Sequence, residues 1–368
     1  LRDVEREVSK QMKALQGAGA APVQRARMSN LVIFCSSLDQ SIALNDEVPA
    51  ISMVHPARVL LLVGEANQPD RELTTRVTVR PLGDNKRHTC AEQVTLHAAG
   101  CYVERLPFAV RALLIGDLPV NLLWAAPTPP PLAGALLYEL GENAQQIIYD
   151  SLGWPDPARG VSATGTWLEQ VERSAAFVAG GSAGTGRWRV ASDLNWRRLK
   201  YWRRMLAQAL EPASAPGAAG SVSEVGIEHG PHAVVQAWLL ASWLTRRLGW
   251  RLQAGKVTPG VELAWQFTTE RGPARVAVRR LEEGPAEVRR VRIACSVEGQ
   301  PAVMNLAVED GRRLCLELEG VAASARTMTT PVQSAVDLIG RQLSDRERDP
   351  VFRESMAVAQ VMAQSVLH

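Results

Sequence analysis

The chain has 368 residues, 46% of them hydrophobic and 21% charged, the balance of a globular protein with room for about two domains of ordinary size. The formal net charge is only +3, so bulk charge gives no basis for a nucleic-acid or anionic-membrane partner, and any basic site must be local. No apolar run reaches the ~20 residues that span a bilayer. The charged start Leu1-Arg2-Asp3-Val4-Glu5-Arg6-Glu7 lacks the apolar stretch of a signal peptide, so the expected compartment is the cytoplasm.

Residues 1–15 read as a charged amphipathic helix and 17–22 as a small-residue linker. Residues 28–36 (MSNLVIFCS) are apolar on both faces, as a central strand requires, and 38–54 carries a helical pattern. His55-Pro56-Ala57-Arg58 is a loop, because the residue before a proline is pushed out of helix; 59–65 (VLLLVGE) is a second buried strand. Residues 72–80 and 89–97 alternate apolar and polar side chains around a turn at 81–85, the pattern of an antiparallel hairpin. A helix over 102–116 and a third buried strand over 120–126 follow, then a stiff proline loop at 127–131 and a helix over 132–141. A short strand over 145–149, a helix over 165–179, a flexible loop over 180–186 and a strand over 188–192 complete this half.

Repeated strand–helix–strand units with buried strands specify an α/β domain over 1–210, with flanking helices and a mixed, largely parallel sheet. Residues 211–223, rich in Ala, Pro, Gly and Ser, read as a linker. Residues 224–368 read as an α+β domain with an antiparallel sheet. It has an apolar helix over 231–248 closed by Gly249, alternating strands between 250 and 318, and helices over 331–342 and 350–364.

The stretch from Asp193 to Arg204 (DLNWRRLKYWRR) reads as a helix with Asp193 as its N-cap. Trp196, Leu199, Trp202, Met205, Leu206 and Leu210 recur at steps of three and four and form an apolar face. Arg197, Lys200 and Arg204 lie on the opposite side, as a solvated surface or as a basic contact face.

Recognised chemistry is sparse. Gly180-Gly181-Ser182-Ala183-Gly184 has the form of a nucleophile elbow but lacks the strand before and the helix after that the motif needs, so it reads as a mobile linker. It also lacks the Gly-Lys-Ser/Thr ending of a phosphate-binding loop, and no G-x-G-x-x-G follows the first strand, so no nucleotide cofactor is expected. His88, Cys90, His97 and Cys101 invite a zinc reading, but strand alternation turns His97 away from His88 and Cys90, so no metal is expected. The Pro in Glu228-His229-Gly230-Pro231-His232 breaks the helix that would align two imidazoles, and this stretch reads as a loop. Five cysteines without a CxxC read as free thiols, with Cys90 and Cys101 able to oxidise together only if they meet. Arg25, Arg27, His55 and Arg58 precede the first two buried strands. In a parallel pair they share one end of the sheet, where they suit a phosphate or carboxylate, or pair with local carboxylates.

Several stretches recur together. They are Arg27-Met28-Ser29-Asn30-Leu31-Val32, His55-Pro56-Ala57-Arg58, Glu92-Gln93-Val94, and Asp117-Leu118-Pro119 leading into Leu122-Leu123-Trp124. Asp193-Leu194-Asn195-Trp196 with Leu199, Trp202 and Arg203 follows, then Trp243-Leu244 with Leu248-Gly249-Trp250, and finally Asp349-Pro350-Val351. This ordered set, spread over nearly the whole chain, resembles the glucose-6-phosphate dehydrogenase assembly proteins, the OpcA family. The resemblance implies a non-catalytic bacterial protein without cofactor. It implies a protein that binds glucose-6-phosphate dehydrogenase, the entry enzyme of the oxidative pentose phosphate pathway, stabilises its assembled form and acts as its allosteric activator. Asp193, Asn195, Trp196 and Trp202 fall in the recurring pattern, as structural positions. In photosynthetic members the effect is linked to thiol redox state, but here the last cysteine is Cys315 and the expected C-terminal helices hold none. The competing expectation is a sugar-phosphate- or nucleotide-binding enzyme built on Arg25, Arg27, His55 and Arg58.

Overall fold

The computed structural model describes residues 2–15, 24–82, 89–179, 190–321, 325–331 and 333–367. They form two compact units that interleave along the chain. Unit 1 takes Leu1–Asp150, Gln170–Leu194 and Ser334–Arg348; unit 2 takes Ser151–Glu169, Asn195–Gln333 and Asp349–His368. This differs from the single boundary expected at 211–223. That stretch lies within unit 2, where the short helix Ala218–Ser221 is tied in by Ser221 Oγ, which accepts the Ser296 N–H at 2.8 Å. The Gly180–Gly184 motif and His88 lie outside the described residues.

Unit 1 is built on strands β1 (Gln24–Arg25), β2 (Ser29–Cys35), β3 (Ala57–Glu65), β4 (Arg71–Pro81), β5 (Thr89–Ala99), β6 (Val120–Trp124), β7 (Gln146–Tyr149) and β8 (Val190–Asp193). They pair in the order β1-β5-β3-β2-β6-β7-β8, with β4 also on β5. All pairs are parallel except β4–β5, the hairpin expected from its alternation. Every residue of β2 and β6 is buried, because helices cover both faces of a parallel sheet and leave no solvent side.

On one face the helix Leu38–Val54 packs Val48 and Ile51 onto Leu31, Ile33, Val59 and Leu61. Leu338, Ile339 and Leu343, from the late helix Ala335–Ser344, complete that core. The expected 102–116 helix is instead a 3-10 turn, Gly100–Arg105, followed by a helix over Leu106–Leu113 that carries Pro107 in its first turn, where a missing N–H costs nothing. Gly100 has φ +58° and a Cβ there would strike Asp70, so only glycine fits. Cys90 opens β5 and Cys101 follows its end. At ~3.3 Å per residue they stand roughly 30 Å apart, too far for a disulfide.

Unit 2 holds β9 (Glu224–His229), β10 (Arg251–Thr258), β11 (Glu262–Thr269), β12 (Gly272–Arg280), β13 (Val288–Val297), β14 (Gln300–Glu309), β15 (Arg313–Glu319) and β16 (Arg326–Thr329). Their order is β10-β11-β12-β9-β13-β14-β15-β16. The sheet is antiparallel as expected except at β12–β9, which is parallel. The reason is β9 itself. It covers part of the stretch expected as a loop, and it enters the middle of the sheet from outside the run of hairpins.

The helix Val234–Arg247 is buried at every position from Val235 to Thr245, as its all-round apolar sequence requires. Gly249, at φ +71°, ends it in the left-handed conformation that glycine takes most easily. Trp238 and Trp265 pack at 4.9 Å, and the Trp265 indole N–H donates to the Met362 carbonyl at 3.1 Å. That bond fixes the C-terminal helix Pro350–Gln364, whose bounds match the sequence expectation.

Candidate functional site

Counting β2, β3, β5, β6, β7 and β8 as one to six, the central order of unit 1 is 3-2-1-4-5-6, the doubly wound arrangement. Such sheets bind ligands beyond the C-terminal ends of the strands where the order reverses, here between β2 and β6. The turn at that point is Cys35-Ser36-Ser37-Leu38, and its donors are already engaged. Ser36 N–H donates to Gln40 Oε1 at 3.1 Å, Gln40 N–H to Ser37 Oγ at 3.3 Å, and Leu38 N–H to Glu65 Oε1 at 3.3 Å. Gln40 Nε2 reaches across to the Ala125 carbonyl at 3.4 Å, so one side chain spans the crevice. Phe34 and Trp124 stack at 4.5 Å beside it. A pyrophosphate needs free N–H groups at a helix start and no competing anion. Here the Glu65 carboxylate holds that position, braced by His97 Nε2 at 2.8 Å. A dinucleotide does not fit this turn.

At the opposite end of the strands the structure brings Arg25, Arg27 and Arg58 together, but around carboxylates. Arg58, 2% exposed, donates from Nε to Glu92 Oε1 at 2.7 Å, to the Leu113 carbonyl at 2.9 Å, and to Glu5. Arg27 reaches Glu92 Oε2 at 2.6 Å, and Arg25 reaches Glu5 at 2.9 Å. Glu5 comes from the helix Arg2–Leu15, so the network fastens that helix to the sheet. Burial pushes the Glu5 carboxyl up, but hydrogen bonds and charge from Arg58 and Arg25 outweigh it and hold it below its ordinary value. His55 does not join this group. It is buried, shares a 3.0 Å hydrogen bond with Ser29 Oγ, and is pushed toward the neutral form by burial and by the charge of Arg346.

The stretch from Asp193 to Arg204 divides rather than forming one helix. Asp193 ends β8, paired with Tyr149, and is followed by the helices Leu194–Arg198 and Lys200–Ala209. At Leu199 the backbone opens to ψ −3°, well off the helical value, which separates them. The expected apolar face is buried at Trp196, Leu199, Trp202, Met205 and Leu206, while Leu210 is only half-buried. Lys200 and Arg204 are exposed and Arg197 half-buried.

Within unit 2, Trp196 is the centre of a knot. Its indole N–H donates to Asp349 Oδ2 at 2.6 Å, Phe352 packs at 5.5 Å, and the Arg203 guanidinium lies 3.4 Å over the ring centroid. Burial lowers the pKa of Arg203 to about 10, with Asp349 opposing and Arg247 adding to the shift. Asp349 also caps the helix Pro350–Gln364 by accepting the Phe352 N–H at 3.0 Å. Asn195 Nδ2 donates to Ser151 Oγ at 2.9 Å. Sequence reasoning placed Trp196 but missed its partner Asp349. The available signal was the Asp-Pro pair at a helix start, which marks a capping acid.

Comparison with known proteins bears on this architecture. Two family models match in succession. One is described as the glucose-6-phosphate dehydrogenase subunit N-terminal domain, over residues 48–165; the other is the C-terminal domain of the same subunit, over 189–356. The OxPP cycle protein OpcA of Synechocystis is 24% identical over 329 residues, covering 85% of this chain and 65% of its own length. Its counterpart in Synechococcus elongatus is 23% identical over 333 residues, covering 86% of this chain and 70% of its own length. The chain thus spans about two thirds of these relatives. A crystal structure of a Parabacteroides merdae protein described as an oxidoreductase superposes with a TM-score of 0.53 at 7% identity, covering 92% of this chain and 98% of the other. At that identity the likeness concerns the fold alone. By two consecutive family domains and these relatives, the chain belongs to the OpcA family of glucose-6-phosphate dehydrogenase assembly proteins.

Proposed function

We propose that this protein acts in the oxidative pentose phosphate pathway, in the cytoplasm, by binding glucose-6-phosphate dehydrogenase and stabilising its active oligomer, with no catalysis of its own. The observation that carries the reading is the succession of both family domains along the chain. The stitched crevice between β2 and β6 supports it. A doubly wound sheet whose ligand turn is filled by Gln40 and Glu65 suits a scaffold better than a dehydrogenase. The enzyme reading built on Arg25, Arg27 and Arg58 has less support, because Glu5 and Glu92 already engage those guanidiniums.

Binding activates an enzyme only as far as the active conformation is bound more tightly than the inactive one. Lys200 and Arg204, with Arg197, form the basic face proposed to meet the dehydrogenase. Arginine is a favoured anchor at protein interfaces. The test is co-purification with the dehydrogenase of the same organism, with kcat and KM measured with and without this chain. A complex with raised activity is expected; no complex and unchanged kinetics overturn the reading.

A further inference from the structure

The helix Leu38–Val54 carries apolar residues on every side, yet only part of that surface is covered. Val48 and Ile51 face the core of unit 1, whereas Leu38, Ile42 and Met53 are 47%, 58% and 54% exposed. Steps of four, seven and four place Leu38, Ile42, Pro49 and Met53 in one narrow stripe down the helix. A single exposed apolar side chain needs no explanation, but a row of them along one helix marks a surface that something covers.

Two cavities follow this stripe, both within unit 1. One, of about 460 Å³, lies between Leu38 and Ile42 and the β4–β5 residues Thr74, Arg76 and Thr95. The other, of about 220 Å³, lies between Pro49, Ser52 and Met53 and the β5 residue Gln93. Arg80 lines both and forms the bridge between them. Pro49 has no N–H to give, so the Asn45 carbonyl lacks its helical bond, and Arg80 Nη1 donates to it at 3.4 Å. Arg80 Nη2 donates to Asn45 Oδ1 at 3.4 Å, and Gln93 Nε2 donates to the same oxygen at 3.1 Å. Ser41 and Ala50, which line one cavity each, stand about 14 Å apart along the helix at ~1.5 Å per residue.

The walls define the occupant by its chemistry. Ser52 and Gln93 are at least nine-tenths buried, and neither Ser52 Oγ nor Gln93 Oε1 has a hydrogen-bond partner among the described residues. A buried acceptor without a donor costs free energy that an incoming donor recovers. Arg76 and Arg80 have no carboxylate partner among the described residues. No acidic side chain lines the larger cavity, and the one that lines the smaller, Glu92, is taken by Arg27 and Arg58. The acids of the helix itself, Asp39 and Asp46, line neither. An apolar stripe beside two guanidiniums suits a partner that brings apolar anchors together with carboxylates.

We propose that this strip of unit 1 docks an acidic segment of the dehydrogenase, with two apolar anchors about 14 Å apart, one in each cavity, and carboxylates on Arg76 and Arg80. The anchor in the smaller cavity carries a donor, as Tyr and Trp do, and gives it to Gln93 Oε1 or Ser52 Oγ. The inference rests on the assembly reading and adds to it a contact in unit 1.

The test uses the full chain and the dehydrogenase of the same organism, with calorimetry for affinity and hydrogen exchange for the contact. In the complex, amides over 38–54 and 71–81 are expected to exchange more slowly than in the free chain. Ile42→Ser with Met53→Ser changes exposed positions only, so the fold is kept, and affinity is expected to fall about tenfold or more. Arg76→Glu, also at an exposed position, is expected to weaken binding about fivefold or more, and less so at high salt. Ser52→Ala separates docking from structure. It removes a hydroxyl that has no partner in the free chain, so the unfolding midpoint is expected to hold or rise while affinity falls. A complex that forms without protection of 38–54 and 71–81 overturns the proposal and leaves the assembly reading standing. So does affinity unchanged in both the Ile42→Ser, Met53→Ser variant and Arg76→Glu. No complex at all overturns both. Self-association of the free chain that is lost in the Ile42→Ser, Met53→Ser variant identifies a second copy as the occupant and overturns the proposal.

Discussion

Two sets of arginines in this chain have opposite surroundings. In unit 1, Arg25, Arg27 and Arg58 close onto Glu5 and Glu92 and leave little charge to offer. In unit 2, Arg312 and Arg204 stand on the surface, and Arg312 has no carboxylate partner among the described residues. Burial accounts for the difference. A guanidinium as enclosed as Arg58 is tolerated only with its partners in place, whereas an exposed one relies on water until something binds. An arginine cluster in sequence is therefore ambiguous until its exposure is known.

The most severe way to break this contrast is Glu92→Gln. It leaves Arg58 and Arg27 short of their common carboxylate and is expected to cost about 3–5 kcal/mol in chemical denaturation. A loss below about 1 kcal/mol means the cluster is not closed in the way described. Trp202→Ala tests the apolar side of the unit 2 arginine helix and is expected to cost about 3–5 kcal/mol, since Trp202 is buried. Asp349→Ala removes both a helix cap and the acceptor of the Trp196 indole, for a combined loss of about 2 kcal/mol.

A smaller effect concerns His55, which stays outside the closed cluster. Its folded pKa is lowered from 6.5 by burial and by the charge of Arg346. Well above 6.5 it is neutral in both states, so its contribution to stability is full there. As pH falls below that value the unfolded chain takes up the proton first, and stability declines until the lowered folded pKa is passed. His55→Gln should flatten the stability–pH curve in that window. The smallest stability change is expected from Lys200→Glu with Arg204→Glu, both at exposed positions, within about 0.5 kcal/mol of wild type. The same double variant should weaken dehydrogenase binding; normal binding and activation would leave this face as solvated surface.

Much of the fold was legible because its signals are local. The runs at β2, β3 and β6 read as buried strands from their apolar content alone, and alternation gave the β4–β5 hairpin. The helix Pro350–Gln364 was legible at both ends from its periodic pattern. Non-local features were hidden. No periodicity tells β9 to enter the middle of a sheet between β12 and β13, or sends 334–348 back to unit 1. At the candidate sites, the meeting of Arg25, Arg27 and Arg58 followed from parallel strands starting side by side. The two carboxylates that engage them came from β5 and from a helix at the other end of the segment, and only the tertiary fold shows that pairing. The two unit 1 cavities draw their walls from residues 38 to 97, a separation over which a sequence pattern carries no spacing information.

The return of 334–348 to unit 1 has a consequence for synthesis. Leu338, Ile339 and Leu343 fill the core against β2 and β3, and the Gln342 and Asp345 carbonyls accept from Gln146 Nε2 at 3.1 and 3.0 Å. A ribosome delivers those residues long after β2 and β3, so these strands must wait, one apolar face uncovered, until 334–348 has emerged. Domain-by-domain completion during translation is closed to this chain, and a stop codon anywhere before residue 334 yields an exposed sheet rather than a finished first half. The core of unit 1 thus closes late.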